Sequence, residues 1–228
     1  MDENPWTNLP DKPPFVLIRD RDEIENFNKK VRNPIHVLRT DQILPEAFVG
    51  ARDAPVVLLS NNPGHSDDEP RRSSAKYQLR MRKNLRHEKL KYPFVFLDPK
   101  LRPVGEWWER KLKSLFRIYT REAIARSLLN VPFFPYASSR FDHSDIVLDS
   151  QAYGFGLVRQ AMQRGAVIVF MRRDNIWKEK IHELRDYELA FQVKNRQNPT
   201  LNPGNLPDGV FEKIVLVIAA AEAKRRGA

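Results

Sequence analysis

The feature that most constrains the fold is a pair of short segments that are apolar throughout and lie far apart in the chain. They are residues 54–60 (APVVLLS) and 165–171 (GAVIVFM). A strand with one face in water alternates apolar and polar residues, whereas a parallel strand buried on both faces is apolar along its length. Both segments are therefore predicted to be central strands of a parallel sheet.

The remaining chain alternates between helical and strand-like patterns. Helices are predicted over about 20–30, 71–91, 105–119, 121–128, 150–164, 174–184 and 209–225, and further strands over 128–131 and 189–193. This alternation indicates an α/β fold with a doubly wound parallel sheet. Residues 1–14 are polar and proline-rich and are predicted to be an extended arm with little to bury. The 228 residues, 41% of them hydrophobic, leave 15–228 as a single domain with a basic helical insertion at about 67–91.

Cysteine is absent from the sequence. Disulfides, thiolate nucleophiles and cysteine-held metal clusters are thereby excluded, and a reducing compartment is favoured. The polar N-terminus is unlike a signal peptide, and the longest apolar run, 214–221, is too short to span a bilayer. We expect a cytoplasmic protein, with association to the nucleoid as an option, that has no membrane contact, no cofactor and no metal.

The charge balance favours a polyanionic partner. The chain has 39 Lys and Arg against 29 Asp and Glu, a net charge of +10. Each phosphate that a protein neutralises releases a condensed counterion, so a surplus of this kind favours binding to DNA, single- or double-stranded. The candidate phosphate contacts on the predicted basic helix are Arg71, Arg72, Lys76, Arg80 and Lys83. The alternative is that these residues form a solvated helix face.

Four turns follow the predicted strands, at the edge of a parallel sheet where ligands usually bind. They are 61–64 (NNPG), 130–136 (NVPFFPY), 172–173 (RR) and 198–200 (NPT). Asparagine is common in turns for local reasons, so any one of these turns alone favours a structural interpretation. Their placement at one edge of the sheet favours a shared site.

Four short segments resemble the uracil-DNA glycosylase superfamily. Residues 58–64 (LLSNNPG) resemble its first motif, a strand followed by Gly-x-Asp-Pro or Gly-x-Asn-Pro-Gly. Residues 128–130 (LLN) resemble the strand that ends in a base-reading asparagine, 165–170 resemble the next core strand, and 198–200 (NPT) resemble the second catalytic motif. The asparagines are most similar to those of the mismatch-specific and single-strand-selective branches. The resemblance implies a three-layer α/β/α sandwich with a central four-stranded, mainly parallel sheet.

The resemblance also implies roles for individual residues. Asn62 would position the attacking water, Asn130 would read the edge of an extruded base, and Asn198 would stabilise the departing base. Further base-binding candidates are Phe133, Phe134, Gly64 and His65. Gly64 stands where the uracil-only branch has a tyrosine, which implies looser base selection, and Ser60 stands where the family usually has glycine.

Thr200 and Leu201 would contact DNA, with Leu201 as the wedge that fills the vacated stack; its alternative is a minor core residue. Arg172 and Arg173 are interpreted as phosphate contacts or plain surface arginines. The segment 142–145 (DHSD) has the ingredients of a hydrolase triad, but immediate neighbours cannot converge as triad members do.

The sequence thus favours a DNA glycosylase that hydrolyses the N-glycosidic bond of uracil or another deaminated or mismatched base. Two alternatives stay open. One is a nucleic-acid-binding protein on the same fold that performs no chemistry, and the other is a hydrolase of small N-glycosides.

Overall fold

The computed structural model describes residues 3–64 and 70–227, without the side chains of Pro70 and Arg71. Its centre is a five-stranded sheet in the order β1-β3-β2-β4-β5. The strands are β1 (Val49–Gly50), β2 (Val56–Ser60), β3 (Leu128–Pro132), β4 (Val167–Phe170) and β5 (Ala190–Gln192). Strands β3, β2, β4 and β5 pair in parallel, and β1 pairs antiparallel with β3.

The four predicted strands are all present, but the expected strand count of four was too low. The additional strand, β1, has two residues and therefore carries no readable pattern. Its Gly50 has a φ of 133°, and a Cβ there would lie 2.1 Å from the carbonyl oxygen of Leu128. Only glycine allows this approach of β1 to β3.

Seven α-helices accompany the sheet within the described residues. They are α1 (Arg21–Lys30), α2 (Ala75–Leu85), α3 (Glu106–Lys111), α4 (Arg121–Ser127), α5 (Gln151–Gln163), α6 (Asp174–Lys180) and α7 (Val210–Arg226). All residues of β3 and β4 are buried, as are the first four of β2. Because successive side chains of a strand point to opposite faces, both faces of the central sheet are covered. The predicted α/β class is confirmed.

The long basic helix predicted over 71–91 is wrong in extent. Helix α2 begins after Ser74, whose hydroxyl accepts a hydrogen bond from the Tyr77 amide at 3.3 Å. It ends before His87, which adopts a left-handed φ of 55°. Tyr77 and Met81 on its inner face are fully buried. The helix is therefore amphipathic and packs on the core; counting charges alone did not reveal this.

The N-terminal segment also differs from the prediction, because it packs on the domain. Trp6 and Leu9 are buried. The Asn4 side chain donates to the Leu85 carbonyl at 2.7 Å, and the Arg82 guanidinium donates to the Pro10 carbonyl at 2.7 Å. The polar composition of 1–14 concealed the two apolar residues that anchor this segment next to α2.

The path of the chain creates a crevice at one edge of the sheet. From β2 it crosses to β3 on one side, then returns past β2 to β4 on the other side. In parallel sheets such a reversal separates the loops that follow neighbouring strands and leaves room for a ligand at their carboxyl ends. None of the described helices is both long and apolar enough to cross a membrane.

Candidate functional site

A cavity of about 600 Å³ lies at the carboxyl ends of β2, β3 and β4. All three expected asparagine turns reach it, but only two do so with their asparagines, Asn62 after β2 and Asn130 in β3. Met171 and Arg172, which follow β4, line the same space. The position and size are those of a binding site for a small organic molecule.

The turn after β2 is held by the chain that continues from β3. The Phe133 amide donates to the Ser60 carbonyl and the Phe134 amide to the Asn61 carbonyl, both at 2.8 Å. The two phenylalanine side chains are buried in the core, where Phe133 packs on Trp177. Neither lines the cavity within the described structure. The predicted stacking of Phe133 or Phe134 on a base is corrected accordingly: their backbones position the turn and their rings belong to the core.

The Asn62 side chain has one defined orientation. Its amide nitrogen donates to the Ser138 hydroxyl at 2.8 Å and to the Pro63 carbonyl at 3.1 Å. The Ser138 hydroxyl donates its single hydrogen to the Arg140 carbonyl at 3.0 Å, so it can only accept from Asn62. The Asn62 carbonyl oxygen receives no hydrogen bond from the described residues and is therefore left to accept one from a molecule in the cavity.

Two other amide oxygens of the cavity lack hydrogen-bond partners. They belong to Asn61 and Asn130, and both are buried with no donor among the described residues. Asn130 is only 3% exposed. Buried polar atoms are rarely left unpaired, because each costs about 1–3 kcal/mol. Both oxygens are covered by protein in this arrangement, so they accept from a ligand only if their side chains turn toward the cavity.

Gly64 also lines the cavity, and its carbonyl oxygen accepts from Arg72. Among the described residues, no atom lies within 4 Å of the position that a Cβ would take there. His65, the other residue predicted at this rim, lies outside the described residues.

The third asparagine turn is placed differently from the prediction. Pro199 lines the cavity, but the Asn198 side chain is exposed and accepts from the Lys111 ammonium group. The Asn198 backbone N–H donates to the Asn195 side-chain oxygen at 2.9 Å. Asn198 therefore does not join Asn62 and Asn130, and its predicted role as leaving-group stabiliser has no geometric support.

The residues after Asn198 do not reach outward either. Leu201 is completely buried, and its amide donates to the Lys111 carbonyl at 2.9 Å. The Thr200 hydroxyl accepts from Asn202 at 2.7 Å. The wedge predicted at Leu201 is corrected to its alternative, a core residue, because an apolar side chain beneath this loop is more stable against the core than in water.

The predicted phosphate contacts do not form one continuous stripe. Arg72 is buried in an ion pair with Glu46, and Arg80 pairs with Asp98 at 3.1 Å. Lys83 is partly exposed and lies 3.8 Å from Glu88. Lys76 is exposed, and the Arg71 side chain is outside the described structure. The two paired arginines form ion pairs within the protein, so they are not free to bind a polyanion.

Aromatic side chains that the sequence analysis did not assign form one wall of the cavity. Phe96 and Trp108 stack with ring centroids 5.9 Å apart, and Trp107 lies edge-on to Trp108 at 4.8 Å. Phe141, which lies in the chain after β3, also lines the cavity. Trp107 is 38% exposed, which is high for tryptophan. The adjacent pair of tryptophans in a charged helix was the available signal.

Arg172 is the cation placed at the end of β4. It lines the cavity, and burial lowers the pKa of its guanidinium from the ordinary value. It has no carboxylate partner among the described residues. Burial and the nearby Arg172 also lower the pKa of Lys111, whose ammonium group lies 5.0 Å from the Trp107 ring. An unpaired, half-buried guanidinium is suited to an anionic oxygen on a ligand.

Glu46 is the residue that sequence reasoning missed most clearly. Its carboxylate lines the cavity, accepts from the Tyr77 hydroxyl at 2.8 Å and pairs with Arg72. It is the one charged residue in the apolar run 43–50 (ILPEAFVG), a pattern that marks a buried charge. Among the described residues no group of three or more His, Asp or Glu side chains could hold a metal ion.

No family model, curated protein or solved structure matches this chain.

Proposed function

We propose that this protein is an N-glycosyl hydrolase of the DNA glycosylase type, which binds an extruded nucleobase in the cavity and cleaves its bond to the sugar. The observation that carries the proposal is an aromatic-walled cavity that is lined by three asparagines, Asn61, Asn62 and Asn130. Nucleobases combine flat rings with N–H donors on their edges. Removing a base from the stack is the step that such a pocket makes possible.

Base recognition follows from the chemistry of an amide. Asn130 presents both an acceptor oxygen and a donor nitrogen, so it pairs with the adjacent ring N–H and carbonyl of a pyrimidine such as uracil. Trp107 and Phe141 offer π-faces for the ring, and stacking of a base on an aromatic side chain contributes about 1–3 kcal/mol. Gly64 leaves space for a substituent, which supports a mismatched or deaminated base beyond uracil alone.

The hydrolysis needs a placed water and a stabilised leaving group. The Asn62 oxygen, oriented through Ser138, accepts one hydrogen of the water. Arg172 replaces Asn198 as the group that stabilises negative charge on the departing base. Arg140, exposed at the rim, is placed to contact a flanking phosphate. The sheet and the two asparagine turns support a uracil-DNA glycosylase-like, three-layer fold as part of this proposal.

Hydrolysis of a small N-glycoside is the second candidate. It is favoured by the ion pairs of Arg72 and Arg80, which leave fewer free cations beside the cavity for a DNA backbone than the sequence suggested. A cavity of about 600 Å³ is also large enough for a whole nucleoside.

The proposal is tested by incubating the protein with uracil-containing oligonucleotides, single- and double-stranded, and with free nucleosides. We expect alkali-labile abasic sites in the oligonucleotides. Asn62→Ala should remove most of the cleavage and retain DNA binding. Turnover of nucleosides without oligonucleotide binding would favour the second candidate, and salt-sensitive binding without abasic product across a panel of damaged bases would contradict both.

A further inference from the structure

We infer that Glu46 accepts the proton of the attacking water, an inference that rests on the proposed function. An asparagine at position 62 can orient a water but cannot remove its proton. Among the described residues, Glu46 is the one carboxylate that lines the cavity. The reaction thus has a candidate base that lies outside all the motifs on which the family resemblance depends.

The contacts of Glu46 engage one side of its carboxylate. Oε1 accepts both from the Arg72 guanidinium and, at 2.8 Å, from the Tyr77 hydroxyl. Oε2 receives no hydrogen bond from the described residues. The Glu46 amide donates to the Pro135 carbonyl at 2.9 Å, so the backbone is held as well. The carboxylate is fixed in orientation with one oxygen available to the cavity.

The same contacts connect Glu46 to the turn that carries Asn62. Arg72 donates to Glu46 through one nitrogen and to the Gly64 carbonyl through another. A single buried guanidinium therefore bridges the Glu46 carboxylate and the backbone of the turn that carries Asn62. A rigid arrangement of this kind is what a proton transfer to a placed water requires.

The groups around the carboxylate are cations and a hydroxyl donor, which favour its anionic form. Arg72 and Tyr77 contact it directly, and Arg140 and Arg172 line the same cavity. A guanidinium beside a carboxylate favours the anion, which is the form that takes up a proton. No second carboxylate lines the cavity in the described part of the chain to compete for that proton.

The step balances as a simple hydrolysis. The water oxygen forms the bond to the sugar carbon C1′ and transfers one hydrogen, as a proton, to Oε2 of Glu46. The electron pair of the C1′–N bond leaves with the base, which departs as an anion near Arg172. The proton on Glu46 then passes to solvent or to the released base, and the carboxylate is regenerated.

Single-turnover excision at neutral pH tests this role in the intact protein. Glu46→Gln should lower the rate by about 10²–10⁴-fold and leave DNA affinity unchanged. Glu46→Asp, which keeps a carboxylate, should retain part of the rate. Formate should partly restore Glu46→Gly. Glu183→Gln is the control, because it removes an exposed carboxylate outside the cavity.

Two results would overturn the inference in different ways. If the wild type makes abasic sites and Glu46→Gln has the same rate, or a lower rate while formate does not restore Glu46→Gly, then Glu46 is only a structural partner of Arg72. If the wild type makes no abasic sites from any substrate in the panel, the proposed function fails and the role of Glu46 fails with it.

Discussion

Asn130 is buried at the cavity with an unpaired oxygen, an arrangement that lowers stability and is retained where a ligand supplies the missing partner. Asn130→Leu fills the site with an apolar group of similar shape. We therefore expect the free energy of unfolding to rise by about 1–2 kcal/mol, measured by urea denaturation. The same variant should lose recognition of the base.

Asn84 provides the matched control for Asn130. It is equally buried, and its amide oxygen also lacks a partner among the described residues, but its amide nitrogen donates to the carbonyls of Gly50 and Pro93, at 3.2 and 3.3 Å. Asn84→Leu leaves those carbonyls unpaired and should destabilise the fold by about 1–3 kcal/mol. If both leucine variants destabilise equally, Asn130 is an ordinary structural asparagine.

Ser138 acts through Asn62, and its removal tests whether that amide must be held. Ser138→Ala deletes the hydroxyl that fixes the amide nitrogen, so the Asn62 oxygen loses its set direction. We expect kcat for excision to fall about tenfold with little change in KM, in line with the roughly 1 kcal/mol typical of one hydrogen bond. An unchanged kcat in steady-state kinetics would show that Ser138 does not need to hold the Asn62 amide.

His143 makes stability depend on pH. Burial lowers its pKa to about 3, and its Nε2 has no partner among the described residues. Between pH 6.5 and 3 the unfolded chain binds a proton that the folded protein excludes, so stability falls as pH falls, by up to about 1.4 kcal/mol per pH unit. His87, whose pKa burial lowers to about 4, adds to this slope.

Urea unfolding of the wild type and His143→Leu at pH 7, 6 and 5 measures that slope. In the variant, the free energy of unfolding should change less with pH, by the contribution of one proton. The contribution of His87 should remain. His182→Gln serves as the control for removing an exposed imidazole. An unchanged slope in His143→Leu would show that His143 is accessible to protons in the folded state.

The N-terminal segment is polar in composition but packs on the core, so its contribution to stability can be measured. Trp6 is buried against Tyr136, with ring centroids 5.9 Å apart. Trp6→Ala should lower the free energy of unfolding by about 3 kcal/mol, as for other large core truncations. Trp107→Ala, at a partly exposed tryptophan, is the control. An unchanged unfolding midpoint for Trp6→Ala would mean that the segment does not contribute to the core.

The elements also show what a sequence can predict. Strands β2 and β4 were readable because burial on both faces requires unbroken apolar runs. Strand β1 was not, since two residues carry no period. Helix α2 was misjudged because its arginines lie among residues that pack inward, and sequence does not show which partner a charge will find. Arg72 and Glu46 are far apart in the chain, and their ion pair is a property of the tertiary structure alone.

The fold brings together, at one cavity, residues from segments that sequence reasoning had treated separately. The placement of Asn62 and Asn130 was predictable, because Asn62 follows β2, Asn130 lies in β3, and these are neighbouring strands of a parallel sheet. Asn198 was not, because its loop follows an edge strand and its course depends on contacts with α3. The aromatic wall and Glu46 come from segments without strand patterns, and only their packing shows that they share the cavity.

If this cavity holds a nucleobase taken out of DNA, the affinity of the protein for DNA should depend on whether that base is present. This dependence can be measured without relying on catalysis. Two oligonucleotides are compared by equilibrium titration, identical except that one carries a cleavage-resistant 2′-fluoro-deoxyuridine where the other carries a reduced abasic site. The wild type should bind the base-containing strand at least about tenfold more tightly, and Asn130→Leu should bind the two alike. Equal affinity of the wild type for both strands would contradict the account.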